Sequence, residues 1–330
     1  MSKKKDSFKP WLSRPTINKS VTLPLTSPLT QRLSGFNEFH PNELDPFLLF
    51  DARDSMIGTL ENPTLDLDPS KPDTLNVITA VRTGVATYTD ESGLIQEATA
   101  NTVRVDHSLG YPAMLIEPSA TNLLPYSEDF SHAGWSKDNV VITSSSVDAP
   151  DGTTNAFKLS ELQLTDGDYG LGEYVVTTPS TSYTFSAYLK ATSDSDVGKK
   201  VRIRIRRSVG TSVASQSEVT LTDEWVRHSV TIDLFSDNTS CWFVVTKDPA
   251  SPTAEQAEEC LIWGAQAEAG SVATSYIPTS GGNAAARTRA ADDLSITGSA
   301  FSDAWNPTEG TVYVEVIPRA LSSSHYVFSI

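Results

Sequence analysis

Cysteine is nearly missing from this sequence. The chain contains only Cys241 and Cys260, with no Cys-x-x-Cys pair and no Cys/His cluster, so neither a zinc site nor a disulfide framework is implied. Both lie in apolar, strand-like runs and read as buried thiols. Long hydrophobic runs are missing as well: no stretch approaches the roughly 18 apolar residues of a membrane helix. The basic N-terminus runs into Pro10, Pro15 and polar residues instead of an apolar signal core. A soluble chain is expected, with no membrane insertion and no recognisable export signal. Positive charge is scarce: 25 Lys and Arg stand against 41 Asp and Glu, a formal net charge of −16. Such a field repels nucleic acid, which is not expected as a partner.

Catalytic signatures are equally sparse. The histidines, at 40, 107, 132, 228 and 325, lack the HExxH spacing that holds a metal. No nucleophile elbow, phosphate-cradling glycine loop or dinucleotide fingerprint occurs. Glycoside hydrolysis needs two carboxylates facing each other across a cleft. The acidic pairs Asp51/Asp54, Asp66/Asp68, Asp166/Asp168 and Asp292/Asp293 fall almost all in turns and read as solvated loop residues. A binding or structural protein is expected, not an enzyme, and no cofactor. Clustered loop oxygens leave one option for a hard cation: Asp148, Asp151, Asp166 and Asp168 are the candidate ligands of a structural calcium ion.

What is present changes character along the chain. Residues 1–50 carry prolines at 10, 15, 24, 28, 41 and 46 and no sustained period of 2 or 3.6, so they cannot build a core. Isolated apolar anchors punctuate them: Trp11, Ile17, Leu23, Leu25, Phe36, Phe39 and Phe47. With Lys3, Lys4, Lys5, Lys9, Arg14 and Lys19 facing only Asp6 at its start, this segment reads as an extended arm that docks on an acidic partner surface. A plain disordered linker is the competing reading. Residues 51–118 form a small β-rich connecting unit, with strand-like runs at 74–80, 84–88, 101–105 and 113–116. A hairpin is expected at Thr89–Gly93, where Gly93 supplies the positive φ of a tight loop.

From 119 to 290 short strands follow one another at regular spacing, at 140–142, 156–159, 172–177, 183–191, 200–206, 216–221, 225–234, 241–246 and 259–266, separated by turn residues such as Asp151-Gly152 and Asp237-Asn238. Many short strands without amphipathic helices predict an all-β, antiparallel sandwich of jelly-roll type. Alternation assigns the faces: Tyr183, Phe185, Ala187 and Leu189 inward, Tyr188 and Lys190 outward; Val201, Ile203 and Ile205 inward, Arg202, Arg204 and Arg206 outward. That parity places Arg204 in solvent, where truncation costs about 0.5 kcal/mol or less. Residues 281–289 read as a linker. Residues 291–330 open a second β-sandwich that stops inside a strand-like run, which either pairs back on the body or continues in a longer chain.

Four stretches, Arg82–Ala98, Leu115–Phe130 with Trp135, Ala149–Leu159 and Ile262–Thr279 followed by Arg287 and Arg289, resemble bacteriophage tail and appendage proteins that carry a carbohydrate-binding-module-like jelly roll. The resemblance implies that Glu309–Glu315 begins a concanavalin/laminin-G-like sandwich. It transfers no catalytic residue. It implies a virion structural protein, a tail-fibre or appendage component assembled in the host cytoplasm, with other virion proteins as partners of the arm and host-surface glycan as a ligand of the sandwich. A capsid-surface fibre or decoration protein and a secreted bacterial glycan-binding module are the alternatives. A single shallow sugar site holds its ligand with only about −4 kcal/mol, and linked copies raise that by roughly 10²–10⁴. A homo-oligomer is therefore expected, and the resemblance favours a trimer.

Sugars are held by exposed aromatic faces beside polar forks. Tyr188, Arg204 and Trp242 lie on the polar-facing parity of their strands and are the glycan-binding candidates. Core packing competes for Trp242, because residues 241–245 are apolar on both parities.

Overall fold

The computed structural model describes residues 65–162, 170–207, 213–247, 253–279, 286–308 and 314–318, together with backbone pairing at 21–22, 48–50 and 311–312. Strands β1 (Val21–Thr22), β2 (Leu48–Phe50), β3 (Thr79–Val81), β4 (Ala86–Thr89), β5 (Ile95–Ala98), β6 (Val105–Asp106), β7 (Ala113–Ile116) and β8 (Ala120–Asn122) come first. The sandwich follows as β9 (Ser136–Asp138), β10 (Val141–Ser144), β11 (Phe157–Ser160), β12 (Gly170–Val176), β13 (Ser182–Lys190), β14 (Lys200–Arg207), β15 (Val213–Thr220), β16 (Val226–Asp233), β17 (Ser240–Lys247) and β18 (Cys260–Ala269). Then come β19 (Arg287–Arg289), β20 (Asp293–Ser295), the single helical turn α1 (Ser299–Ser302) and β21 (Thr311–Val312). Nine of the ten sandwich strands match runs expected from alternation; β9 does not.

The sandwich strands make two five-stranded sheets, ordered β10-β11-β18-β13-β16 and β15-β14-β17-β12-β9, paired antiparallel throughout. Counting β11 to β18 as one to eight, the sheets read 1-8-3-6 and 2-7-4-5, the double Greek key of a jelly roll. The expected all-β fold class is the one observed. The inward rows supply the core: Tyr183, Phe185 and Leu189 of β13 meet Val201, Ile203 and Ile205 of β14 and Phe243 of β17 in one buried cluster. Each such side chain contributes roughly 1.5–3 kcal/mol by leaving water. Cys241 and Cys260 are buried free thiols in this core, and burial pushes the Cys260 thiol up to about 12, so neither is a reactive thiolate.

Gly264 breaks the regularity for a packing reason. The β13–β18 register slips between Ser186 and Tyr188, and Gly264 takes φ +60° at that bulge. A Cβ there would press within 3.2 Å of the Tyr188 ring and 3.3 Å of the Tyr276 ring. Only glycine satisfies the backbone and leaves room for both rings.

Elsewhere the structure departs from simple strand reading. Residues 72–77 form a 3-10 turn (Pro72–Val77), started by a proline and closed on Asp68, which accepts from Ser70 and Lys71. Asp68, read as a solvated loop residue, is therefore buried. The hairpin forms as β4–β5, with Gly93 at φ +83° and Asp90 accepting from the Ser92 and Leu94 amides. Residues 287–289, read as linker, are instead strand β19, paired with β8. β2 pairs with β7, so the end of the expected arm joins a three-stranded sheet with β6, and β1 pairs with β21. The arm anchors Trp11, Ile17, Leu23, Leu25, Phe36, Phe39 and Phe47 lie outside the described residues, as do Asp166 and Asp168. No helix among the described residues is long and apolar enough to cross a membrane.

The outer face of the first sheet is closed by the connecting unit through buried charge. Arg82 pairs with Asp292 at 2.8 Å; Arg104 pairs with Glu117 at 2.8 Å and also with Asp292; Arg289 lies 3.4 Å from Glu117. All five side chains are almost fully buried. Glu117 accepts from the Ser275 amide and hydroxyl at 2.6 Å, and Asp292 from the Glu117 amide at 2.9 Å. Burial pushes the Glu117 carboxyl up, but Arg289, Arg104 and the Ser275 hydrogen bonds outweigh it and hold it at about 2. Asp292, also read as a solvated loop acid, is instead the hub of a clasp joining residues 82–117 to residues 275–292. Buried ion pairs add little net stability but penalise every misregistered alternative, because an unpaired member is costly.

Candidate functional site

With the first sheet covered, the outward face of the second sheet is the open one. Its outward row on β12 is Gly170, Gly172, Tyr174 and Val176, since Leu171 and Val175 point into the core. Val176 is 75% exposed and Tyr174 49%. On β17 the outward row is Ser240, Trp242, Val244 and Thr246, and on β14 it is Arg202, Arg204 and Arg206. Pairing register lines these up across the sheet: Tyr174 stands opposite Trp242 and Trp242 opposite Arg206; Gly172 stands opposite Val244 and Val244 opposite Arg204.

The result is a shallow groove lined by Ser136, Asp138, Gly170, Gly172, Arg206, Trp242 and Val244. The Tyr174 and Trp242 rings meet edge to face, centroids 5.5 Å apart and planes at 65°, which fixes the indole at the groove wall. The two glycines make the floor. A Cβ on Gly170 would collide with the Val245 carbonyl oxygen, and one on Gly172 would sit 3.1 Å from Val244. Strand β9 closes the opposite side, pairing Ser136 with Gly172 and Asp138 with Gly170, and the Ser136 hydroxyl donates to Asp138 at 3.0 Å. An aromatic wall, a bare backbone floor and hydroxyl, carboxylate and guanidinium at the margins can hold a ring with one apolar face and polar substituents at its edge.

Beneath the groove lies an unusual acid. Glu173 points inward between Leu171 and Val175, opposite Phe243, and its Oε2 has no hydrogen-bond partner. Burial raises its carboxyl to about 7. A folded value above the ordinary 4.5 means that the protein is most stable below pH 4.5 with respect to this group and loses that contribution as pH rises through 7. Glu173→Gln is therefore expected to raise the melting temperature at pH 8, by a stabilisation on the order of 1–2 kcal/mol, and to leave it nearly unchanged at pH 4.5. Melting curves at the two pH values check this; an equal effect at both would contradict it.

The three glycan-binding candidates do not come together. Trp242 and Arg204 share the open face, one register step apart, and core packing is not the role of Trp242. Arg204 has the expected parity but is 6% exposed, which corrects its assignment to solvent. Tyr188 belongs to the other sheet. Its ring meets Trp263 and Tyr276 edge-on under Ile95 and Ala149, with the Arg227 guanidinium 5.5 Å from its centroid. This cluster is pinned by polar bonds: the Trp263 indole donates to Asn155, Asn155 to Glu128, and the Tyr276 hydroxyl to Glu128 at 2.8 Å.

Of the calcium candidates, Asp151 accepts from the Thr153 amide and hydroxyl, and the Asp148 carbonyl accepts from the Trp225 indole at 2.7 Å. Among the described residues no three His, Cys, Asp or Glu side chains cluster as metal ligands.

Tyr174, Arg206, Ser136 and Asp138 escaped sequence reading. The outward glycines at 170 and 172 were the available signal, since two glycines two apart on one strand face leave a gap for something else to fill.

No family model and no curated protein matches the chain. Among solved structures it is similar to the CBM22-1 xylan-binding domain of Paenibacillus barcinonensis Xyn10C, at 14% identity over 46% of this chain and 94% of that one, TM-score 0.33. It is also similar to a family 16 carbohydrate binding module, at 22% identity over 41% and 90%, TM-score 0.29. A third similarity is to the enzymatically active domain of bacteriophage CBA120 tailspike protein 4, at 13% identity over 43% of this chain and 20% of that one, TM-score 0.29.

Proposed function

We propose that this chain is a glycan-binding structural component of a bacteriophage virion, a tail fibre or appendage, that holds host-surface polysaccharide on the open face of its jelly roll. The observation that carries the glycan reading is the exposed Tyr174–Trp242 pair walling a glycine-floored groove with polar groups at its margins. Sugar rings stack on such a wall and hydrogen-bond at its edge. The virion reading rests on the resemblance of residues 82–290 to phage appendage proteins and on the proline-punctuated arm, which docks on other virion proteins. Copies act together as a homo-oligomer, a trimer on the resemblance, because one shallow site binds too weakly to hold a particle. The site binds and does not catalyse.

The test is retention of the full chain on immobilised host-surface polysaccharide, compared with two variants. Trp242→Ala is expected to lose at least about tenfold in affinity, since a stacked aromatic contributes about 0.5–1.5 kcal/mol beyond the area it buries. Tyr188→Ala is expected to bind like the parent while melting at a lower temperature. Loss of binding in Tyr188→Ala with retention in Trp242→Ala would move the site to the other sheet and defeat this reading.

A further inference from the structure

The outward row of β14 is cationic along its length. Lys200, Arg202, Arg204 and Arg206 share one parity, so successive side chains on that face recur every ~6.6 Å. Lys200 is held by Glu218 at 3.0 Å and Glu255 at 3.2 Å, and Arg202 donates to Gln216 at 3.1 Å, which commits that end of the row to the sheet's edge. Arg206 stands at the other end, directly across the ladder from Trp242, and lines the groove with it. The groove's acid, Asp138, lies on the far wall, where it accepts from Ser136.

An arginine has donors only and no acceptor, in a planar fork that fits a carboxylate with two parallel bonds. Neutral sugars present hydroxyls that donate as well as accept, and a wall made of guanidinium leaves their protons without an acceptor. A carboxylate only accepts. We propose that the glycan held in this groove is acidic, a polysaccharide of uronate type whose ring stacks on Trp242 and whose carboxylate meets Arg206. The inference rests on the glycan-binding reading above and narrows it to a ligand class. The charge of the rest of the chain sharpens the selection. A net charge of −16 repels polyanions from the body, while within the roughly 8 Å screening length at physiological salt the arginine row sets the local sign.

The experiment compares the full chain on polygalacturonate and alginate with the same polymers after chemical reduction of their carboxyl groups to neutral hexoses, by affinity electrophoresis. At least one polyuronate is expected to bind about tenfold or more tightly than its reduced form, the size of a charge-assisted hydrogen bond. Arg206→Gln is expected to abolish that preference without lowering the melting temperature by more than a few degrees, and Arg206→Lys to restore part of it. Equal binding of acidic and reduced polymers by the parent would overturn the acidic-ligand inference while leaving the groove a glycan site. So would a preference that survives in Arg206→Gln. Binding of no polymer in either form would overturn both readings together. The comparison of polymers needs no variant, so it stands even if a substitution at Arg206 disturbs the fold.

Discussion

Replacing Glu117 by leucine is expected to cost about 3–5 kcal/mol, the range measured when one member of a buried ion network is removed and its partners stay behind. Glu117 is the shared counter-ion of Arg104 and Arg289, and it also takes the Ser275 amide and hydroxyl. Without it two guanidinium groups are buried against Asp292 alone, in a cluster that also includes Arg82. Against a total stability of roughly 5–15 kcal/mol for a domain, that is a large fraction. The loss should be local first: hydrogen exchange is expected to speed up in residues 82–122 and 275–292 before it does so in β13 or β14. The pH dependence is a second readout. Because Glu117 is held at about 2, below its ordinary 4.5, its contribution is present above pH 4.5 and fades as pH falls toward 2. Unfolding curves should therefore separate parent from variant most at neutral pH and converge in acid. A constant difference down to pH 2 would show that the ionised carboxylate is not what matters.

The second large effect is in the jelly-roll core. Ile203 is fully buried between the sheets, and Ile203→Asp places a charge where no partner can reach it, at a cost of several kcal/mol. The sandwich is expected to lose its cooperative thermal transition. Arg204→Ala, one residue along and on the opposite face, is the comparison. Its guanidinium is shielded, not solvated, so the expected loss is about 1–2 kcal/mol through lost packing of its stem, more than a surface truncation and far less than the core charge. Circular dichroism melts of the two variants check the ordering. Equal destabilisation would mean that the strand faces are misassigned.

The contrast between those two neighbours shows how far sequence reading carries. Period-2 alternation in residues 183–190 and 200–206 gave the correct face of every residue, because a strand's own geometry decides which side a side chain leaves from. It could not give what covers that face. Arg204 and Tyr188 were both placed outward and both are outward, yet one is shielded on the open sheet and the other sits inside an aromatic cluster under the connecting unit. Which strands neighbour which is a long-range fact. Tyr174 joins Trp242 only because β12 pairs with β17 across more than sixty residues of chain, and no local pattern encodes that register. The clasp was hidden for the same reason. Arg82, Arg104, Glu117, Arg289 and Asp292 each look like ordinary surface residues in their own segments, and their burial follows from segments nearly two hundred residues apart converging. Strand β9 escaped because Ser136, Lys137 and Asp138 are polar on both parities, and its pairing with Gly170–Gly172 supplies the order that its side chains do not.

The proposal that the open face of the second sheet is the ligand site is tested most directly by following the tryptophan indole N–H signals of the full chain in an NMR titration with host-surface polysaccharide fragments. The indoles of Trp135, Trp225 and Trp263 are already bonded, to the carbonyls of Tyr126 and Asp148 and to Asn155, and serve as internal controls. The expected result is a saturable shift of the Trp242 indole together with the Gly170 and Gly172 amides, while those three stay in place. Saturable shifts confined to Trp263 and Trp225, with Trp242 unmoved, would place the ligand on the opposite sheet and contradict the assignment of the site.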